Sequence, residues 1–373
     1  MGIILKIVYV IAGVVVAGLL VFFLGRKELL RNGFLGSGVK EILRPISNSN
    51  GSKAGKKDEK KVQDPLNGVL YTEADSKPFI NVRPLAVMIN NYIDARPQSG
   101  LINADLVYEV IAEGGITRFL AFFLSKTPEK IGPIRSAREY YLVLVKELGD
   151  AVFMHIGWSP QALEAIETWP VRSLGRGGGQ FWRDTSLNVA TEHTAYSNGT
   201  ALRKISDNLG WSGKKDFDVW QFKNDKEGYN TAQAVNNISI DFWNKGDYSA
   251  IWKYDQKTNG YLRFTGYDSS LVPIPHKDRE SGKQIWAKNV IVQFAVETKV
   301  NGDEKGRLIY DLIGSGDGLV FIDGKVNKVT WSKALRDGRT KFYNGSGEEF
   351  KFNRGMVWIS IVPDRNVDQV VYK

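Results

Sequence analysis

Two apolar runs meet at a pair of glycines, and that junction limits the fold more than any other part of the chain. Asp105–Glu113 and Ile116–Leu124 are strand-like, and Gly114-Gly115 between them suits a two-residue hairpin loop. On that register Glu113 pairs with Ile116, and Ile111 with Arg118. Side chains alternate faces along a strand. Glu109, Glu113 and Arg118 then share one face, with Arg118 diagonal to both carboxylates and within reach of each. Apolar neighbours make this a partly buried Glu–Arg–Glu cluster. It reads either as a structural ion network or as a site for a polar ligand, with a carboxylate poised as acid or base. Carboxylates four residues apart on a strand lie about 13 Å apart. That exceeds the ~5–9.5 Å used by paired-carboxylate glycosidases, so these two alone do not make such a pair.

Further charged residues follow. Ser136-Ala137-Arg138-Glu139 has the form of a capping box. It opens a helix with an apolar face at Tyr140, Tyr141, Val143, Leu144 and Leu148. Arg135 and Arg138 flank its start, where two guanidiniums suit an anion; pairing with Glu109 or Glu113 explains them equally well. His155 ends an apolar strand just before Ser159-Pro160, which reads as N-cap and first residue of the next helix. It is either a ligand contact or a satisfied core histidine. Arg183 and His193 complete the candidates, and His276, among Pro and Lys residues, is expected to be exposed. The three histidines lack metal-ligand spacing, so no metal site is expected. The glycine-rich loop at Arg176–Gln180 has no Gly-Lys-Ser/Thr after it, and there is no nucleophile elbow or dinucleotide fingerprint, so no cofactor is expected. With no cysteine, disulfides, thiolate ligands, Cys nucleophiles and a Cys-linked lipid are excluded.

Ile7–Gly25 is a run of nineteen apolar or small residues. As a helix it nearly spans a ~30 Å hydrocarbon layer. It is longer than the apolar region of a signal peptide and ends in Arg26-Lys27, which favours an uncleaved anchor in the bilayer. Residues 26–61 carry ten Lys/Arg against four acids, six of the net +9 charge. Anionic lipid headgroups are the expected partner of this segment, and no nucleic-acid partner is expected. The same charges bias the C-terminal side toward the cytoplasm.

The expected organisation is an anchor over 1–27, a basic flexible linker over 28–64, a first domain over 65–210 and a β-rich second domain over 238–373. Strands and helices mix in the first domain without strict alternation, which makes the class α+β, with a central hairpin-containing sheet. The second shows short alternating runs separated by Asn301-Gly302, Asp323-Gly324, Asp337-Gly338 and Asn344-Gly345.

Several consecutive motifs resemble one family. They are Arg83-Pro84-x-Ala86-Val87-Met88-Ile89-Asn90-Asn91, Ala95-Arg96-Pro97-Gln98-Ser99-Gly100-Leu101 and Ala104-Asp105-x-Val107-Tyr108-Glu109. Glu113-Gly114-Gly115-Ile116-Thr117-Arg118-Phe119, Ile131-Gly132-Pro133-x-Arg135-Ser136-Ala137-Arg138, Phe181-x-Arg183-Asp184 and His193-x-x-Tyr196 follow. The chain is similar to the YerB-like bacterial envelope lipoproteins, which carry domain of unknown function 3048 in N- and C-terminal parts. The resemblance implies an α+β first domain and an extracytoplasmic place, and no settled activity. On this reading the protein is single-pass and extracytoplasmic. It binds a polar or anionic ligand or a protein partner at the cell envelope, through Glu109, Glu113, Arg118, Arg135 and Arg138, with His155, Arg183 and His193 next. The alternative is a hydrolase or transferase acting on an envelope polymer, with Glu109 or Glu113 as acid/base.

Overall fold

Three strands form the middle of the molecule: β1 (Leu85–Asn90), β2 (Leu106–Ile111) and β3 (Thr117–Phe123). All their residues are buried, which is why they read as continuous apolar runs rather than alternating ones. The computed structural model describes residues 60–175, 180–225, 227 and 232–373. The expected anchor at 7–25, the basic segment up to residue 59 and the glycines 177–179 lie outside the described residues. Among the described residues no helix is long and apolar enough to cross a membrane.

The hairpin forms, but its register differs from the expected one by a single residue. Val110 pairs with Arg118 and Glu109 with Phe119. The loop is a three-residue 3-10 turn over Glu113–Gly115, closed by Ala112 N donating to Ile116 O at 2.8 Å. The third loop residue shifts the pairing, and a one-residue shift moves a side chain to the opposite face. Arg118 therefore leaves the face of Glu109, and the single Glu109–Arg118–Glu113 face does not exist.

After β3 the chain forms α1 (Glu139–Lys146), β4 (Val152–Met154) and α2 (Pro160–Thr168). The capping box at Ser136 is not used. Residues 131–137 are instead held as extended chain by bridges Ile131–Ser197, Ile89–Ile134 and Ala137–Trp158. Arg138 takes the N-cap position of α1, extended and without a side-chain cap. The start of α2 follows the sequence, with Ser159 Oγ accepting from Ala162 N at 3.2 Å. A short ribbon of β5 (Trp182–Arg183) and β6 (Ala195–Tyr196) comes next, then α3 (Gly199–Asn208), capped by Asn198.

The remainder is strand-rich: β7 (Asn237–Ile240), β8 (Ala250–Asp255), β9 (Gly260–Tyr267), β10 (Asn289–Ala295), β11 (Gly314–Ile322), β12 (Lys325–Lys333), β13 (Val357–Pro363) and β14 (Val370–Tyr372). The fold is mixed α+β, with many strands and few helices. The central ten-stranded sheet runs β12–β11–β10–β13–β2–β3–β1–β4, with Gln233–Ala234 and Lys341–Tyr343 also paired to β12. Strands from 65–210 and from 238–373 thus stand side by side in one sheet, joined where β13 lies parallel to both β2 and β10. A second sheet, containing β9–β8–β7–β14, packs against the first through Trp252 and Trp358, whose ring centroids are 5.3 Å apart.

The linker expected to run to residue 64 ends sooner. Lys61–Gln63 pairs with Leu70–Thr72, and the buried Asp64 accepts from Leu66 N at 2.7 Å. The Asp64 carboxyl group closes its own turn, so these residues form ordered structure ahead of the first domain.

Candidate functional site

The register decides which charges meet. Glu113 stands in the hairpin turn and Arg118 on β3, while Arg138 is placed by the extended segment before α1. Arg138 Nη2 donates to Glu113 Oε2 at 2.8 Å and its Nε donates to Oε1, a bidentate pair. Arg118 Nη2 adds a third bond at 3.1 Å, and its Nη1 donates to Ser136 O at 2.9 Å. Burial opposes ionisation of Glu113, but Arg138 and Arg118 outweigh it and hold the carboxyl below its usual range. Burial, with Arg138 alongside, brings Arg118 down to about 10. The cluster that forms is Glu113–Arg118–Arg138, without Glu109, and it is closed on itself.

Glu109 belongs to a different assembly on the other face of the sheet. Its side chain is fully enclosed and meets Arg263 of β9 at 3.0 Å. It also accepts from Thr117 Oγ1 at 3.0 Å and Trp358 Nε1 at 3.1 Å. The Arg263 guanidinium lies over the Trp358, Trp252 and Phe119 rings, at 4.4, 5.2 and 5.4 Å. Its Nε donates to Nδ1 of His276 at 2.9 Å, and Nε2 of that ring meets Gln98 Oε1 at 2.6 Å. His276, expected on the surface, is thus buried. Burial, then the charges of Arg263 and Arg96, push it well below the ordinary histidine range and keep it neutral. The polar Pro and Lys neighbours in sequence conceal that this ring is needed to accept a buried Arg263 hydrogen bond.

A second buried hub was not foreseen. Glu147, just beyond α1, meets Lys333 and Arg339 at 3.0 Å each, all three side chains fully enclosed. Thr340 adds bonds from N at 3.1 Å and Oγ1 at 2.8 Å, and Tyr108 donates its hydroxyl. Nothing in local spacing marks Glu147, because its cations lie 186 and 192 residues away.

His155 is a satisfied core residue. Its Nδ1 meets Gly157 O at 2.8 Å and its Nε2 meets Ser173 Oγ at 2.7 Å. Its ring stacks on Phe153 at 4.7 Å.

Arg135, His193 and Arg183 remain. Arg135 is half-buried. Among the described residues it has no side-chain hydrogen bond or ion pair, in contrast to Arg118 and Arg138. Burial lowers its affinity for its proton; Arg138 and Arg183 add to this, while Glu192 and Glu113 oppose it. Nearby, His193 closes the 3-10 turn Thr191–His193 and lies flat on Tyr92, centroids 4.7 Å apart. Asn90 Oδ1 accepts from Tyr92 N at 3.0 Å, which turns its amide nitrogen to His193 Nδ1 at 2.8 Å. Burial depresses His193, and Arg135 contributes. The neutral ring therefore carries its proton on Nε2. Arg183 stands on β5, exposed, with its guanidinium 5.6 Å over Phe181 and its Nη1 donating to Thr191 O. Of the three, His193 is buried, Arg183 has a backbone partner, and Arg135 alone is left without a side-chain bond among the described residues. Among the described residues no group of three or more His, Asp and Glu is placed to hold a metal.

Comparison with known proteins follows the same divisions of the chain. The family described as "Protein of unknown function (DUF3048) N-terminal domain" matches residues 71–212, and its C-terminal counterpart matches 238–359. The chain is 35% identical over 309 residues to "Putative lipoprotein YerB" of Bacillus subtilis (strain 168), covering 82% of this chain and 87% of that one. The crystal structure of YerB protein from Bacillus subtilis superposes with a TM-score of 0.71 at 33% identity, covering 84% of this chain and 100% of the other. Two family regions in the right order, a relative spanned along most of its length and a shared fold lead to one conclusion: the chain belongs to the YerB-like family, with both its N-terminal and C-terminal domains present.

Proposed function

We propose that the protein is an envelope-tethered binding protein that takes an anionic ligand at Arg135, with His193 and Arg183 beside it. Tethering is supported by the apolar run at 7–25 and by the name of the relative, a lipoprotein. Since the sequence holds no cysteine, the tether of this reading is the apolar run itself, with the basic segment after it lying against anionic headgroups. The carrying observation for the ligand is Arg135: among the described residues its half-buried guanidinium makes no ion pair, with Glu192 and Glu113 acting on it only through their fields, while Arg118 and Arg138 are paired with Glu113. A carboxylate or phosphate there gains a charge-assisted bond and relieves repulsion among Arg135, Arg138 and Arg183.

The acid/base alternative draws no support from its two residues. Glu109 has no solvent contact, and Glu113 is committed to two arginines.

Titration with inorganic phosphate and with acetate, followed by the His193 ring resonances, tests the reading. Bound anion raises the His193 pKa, and Arg135→Gln weakens binding about tenfold, as expected for losing one charge-assisted contact. Equal binding by wild type and Arg135→Gln overturns the ligand site. Digestion of the folded region by external protease on intact cells is the expected result for the tether, and protection overturns export.

A further inference from the structure

The β5–β6 ribbon has two faces. Directly opposed residues of an antiparallel pair share a face, and here Arg183 opposes Ala195 while Trp182 opposes Tyr196. Arg183 is bonded to Thr191 O and acts on Arg135 through its charge. The Trp182 face carries a different set of groups, which the anion site does not use.

Trp182 is 42% exposed, with its ring tilted 32° against Tyr196 at 6.4 Å. Lys130 lies 4.5 Å over the Tyr196 ring. Its ammonium reaches Asp184 at 2.9 Å and Glu280 at 3.6 Å. Ser99 Oγ donates to Glu280 Oε1 at 2.7 Å. The Glu280 side chain is about half exposed, at 48%, and so retains free acceptor capacity. Tyr196 is fully buried beneath them, and among the described residues its hydroxyl has no hydrogen-bond partner; Arg279, Asp184 and Glu280 are the charged groups acting on it. The fold thus sets a part-exposed indole beside a carboxylate–ammonium–carboxylate row.

A part-exposed aromatic ring next to hydrogen-bonding charged groups matches one class of ligand better than others. A pyranose has an apolar face of axial C–H bonds, which packs on an indole. Its ring of hydroxyls donates to carboxylates and accepts from an ammonium. A simple anion is disfavoured here by Asp184 and Glu280, and a purely apolar ligand by the whole charged row. We infer that the Trp182–Tyr196 face, with Lys130, Asp184 and Glu280, is a binding site for a pyranose glycan. Trp182 is the stacking platform, and Glu280 and Lys130 hold the hydroxyls. The site is separate from the Arg135 site and does not depend on it.

Chitotetraose and cellotetraose are the probes, titrated into the full-length chain in detergent and followed by tryptophan fluorescence and calorimetry. At least one binds the wild type in the millimolar range or tighter. Trp182→Ala weakens that binding at least tenfold, and Glu280→Gln weakens it several-fold. Arg135→Gln leaves it unchanged, which keeps this result distinct from the anion site. Thermal unfolding of Trp182→Ala within a few degrees of wild type shows that the loss is local, as expected for a half-exposed side chain. Should Trp182→Ala prove unfolded, Trp182→Tyr replaces it and retains partial binding. Failure of the wild type to bind either tetrasaccharide at 10 mM (on the order of the weakest useful sugar affinities) overturns the inference. So does undiminished binding by Trp182→Ala.

Discussion

Nη2 of Arg263 lies 3.0 Å from the carboxylate of Glu109, and neither side chain touches solvent. The two are 154 residues apart in sequence, one on the hairpin and the other on the sheet above it. Breaking such a pair from one side strands a buried charge. Arg263→Met is expected to destabilise the protein by about 3–5 kcal/mol. The double variant Glu109→Gln/Arg263→Met recovers much of that loss, because no charge is left uncompensated. Equilibrium urea unfolding of wild type and the two variants measures this; a double variant no more stable than Arg263→Met contradicts it.

Glu147 is held ionised in the folded state. Burial works against this, but Lys333 and Arg339 prevail and its pKa falls below the usual carboxylate value. A depressed folded pKa contributes stability above the unfolded pKa, and this is lost as pH falls through the folded value. Acid unfolding is therefore expected to set in below the ordinary carboxylate range. Glu147→Gln should remove that contribution and destabilise the protein at neutral pH by roughly 3–5 kcal/mol, since two buried cations lose their partner. Stability curves at pH 3 and pH 7 make the comparison.

Asp64 behaves in the opposite sense. Burial first, then the neighbouring Asp105, push its pKa up to about 8. The native state binds a proton that the unfolded chain has released, so stability is greatest below about pH 4 in this respect. It declines as pH rises toward 8. Asp64→Asn keeps an acceptor for Leu66 N and cannot ionise. It is expected to flatten this part of the pH profile and to be more stable than wild type at pH 8. A parallel pair of profiles is the contrary result.

A methyl group at Gly175 would stand 2.4 Å from Cε1 and 2.5 Å from Nε2 of His155. His155 is enclosed and bonded to Gly157 and Ser173, so it has no room to withdraw. Gly175→Ala is expected to lose about 1–3 kcal/mol through overpacking and to disturb the His155 ring resonances. An unshifted His155 spectrum with unchanged Tm excludes this.

What could be read from the sequence follows the range of the interactions involved. The strands of the hairpin, the Ser159-Pro160 helix start and the alternation from Ala250 onward are local matters of apolar period and capping, and they stand in the structure. The hairpin register is also local, but Glu113-Gly114-Gly115 can close as a two- or a three-residue loop. That choice alone moved Arg118 to the other side of the sheet. Glu113 and Arg118 meet Arg138 because the chain returns to the turn after 25 residues, which the hairpin pattern alone does not foretell. Arg263, Lys333 and Arg339, which satisfy the buried carboxylates, carry no mark in their own neighbourhoods. Their partners are set by sheet topology.

That topology has a consequence for how the molecule is made. β13 follows every other described strand of the central sheet in the chain, yet it fills the gap between β2 and β10 and pairs with both. Until residues 357–363 emerge, each half of the central sheet presents an unpaired buried strand edge, the surface most prone to pairing with another chain. Assembly of the sheet is therefore a closing step that waits for β13. A chain truncated before Val357 should yield two open half-sheets that aggregate, rather than one folded half and one unfolded.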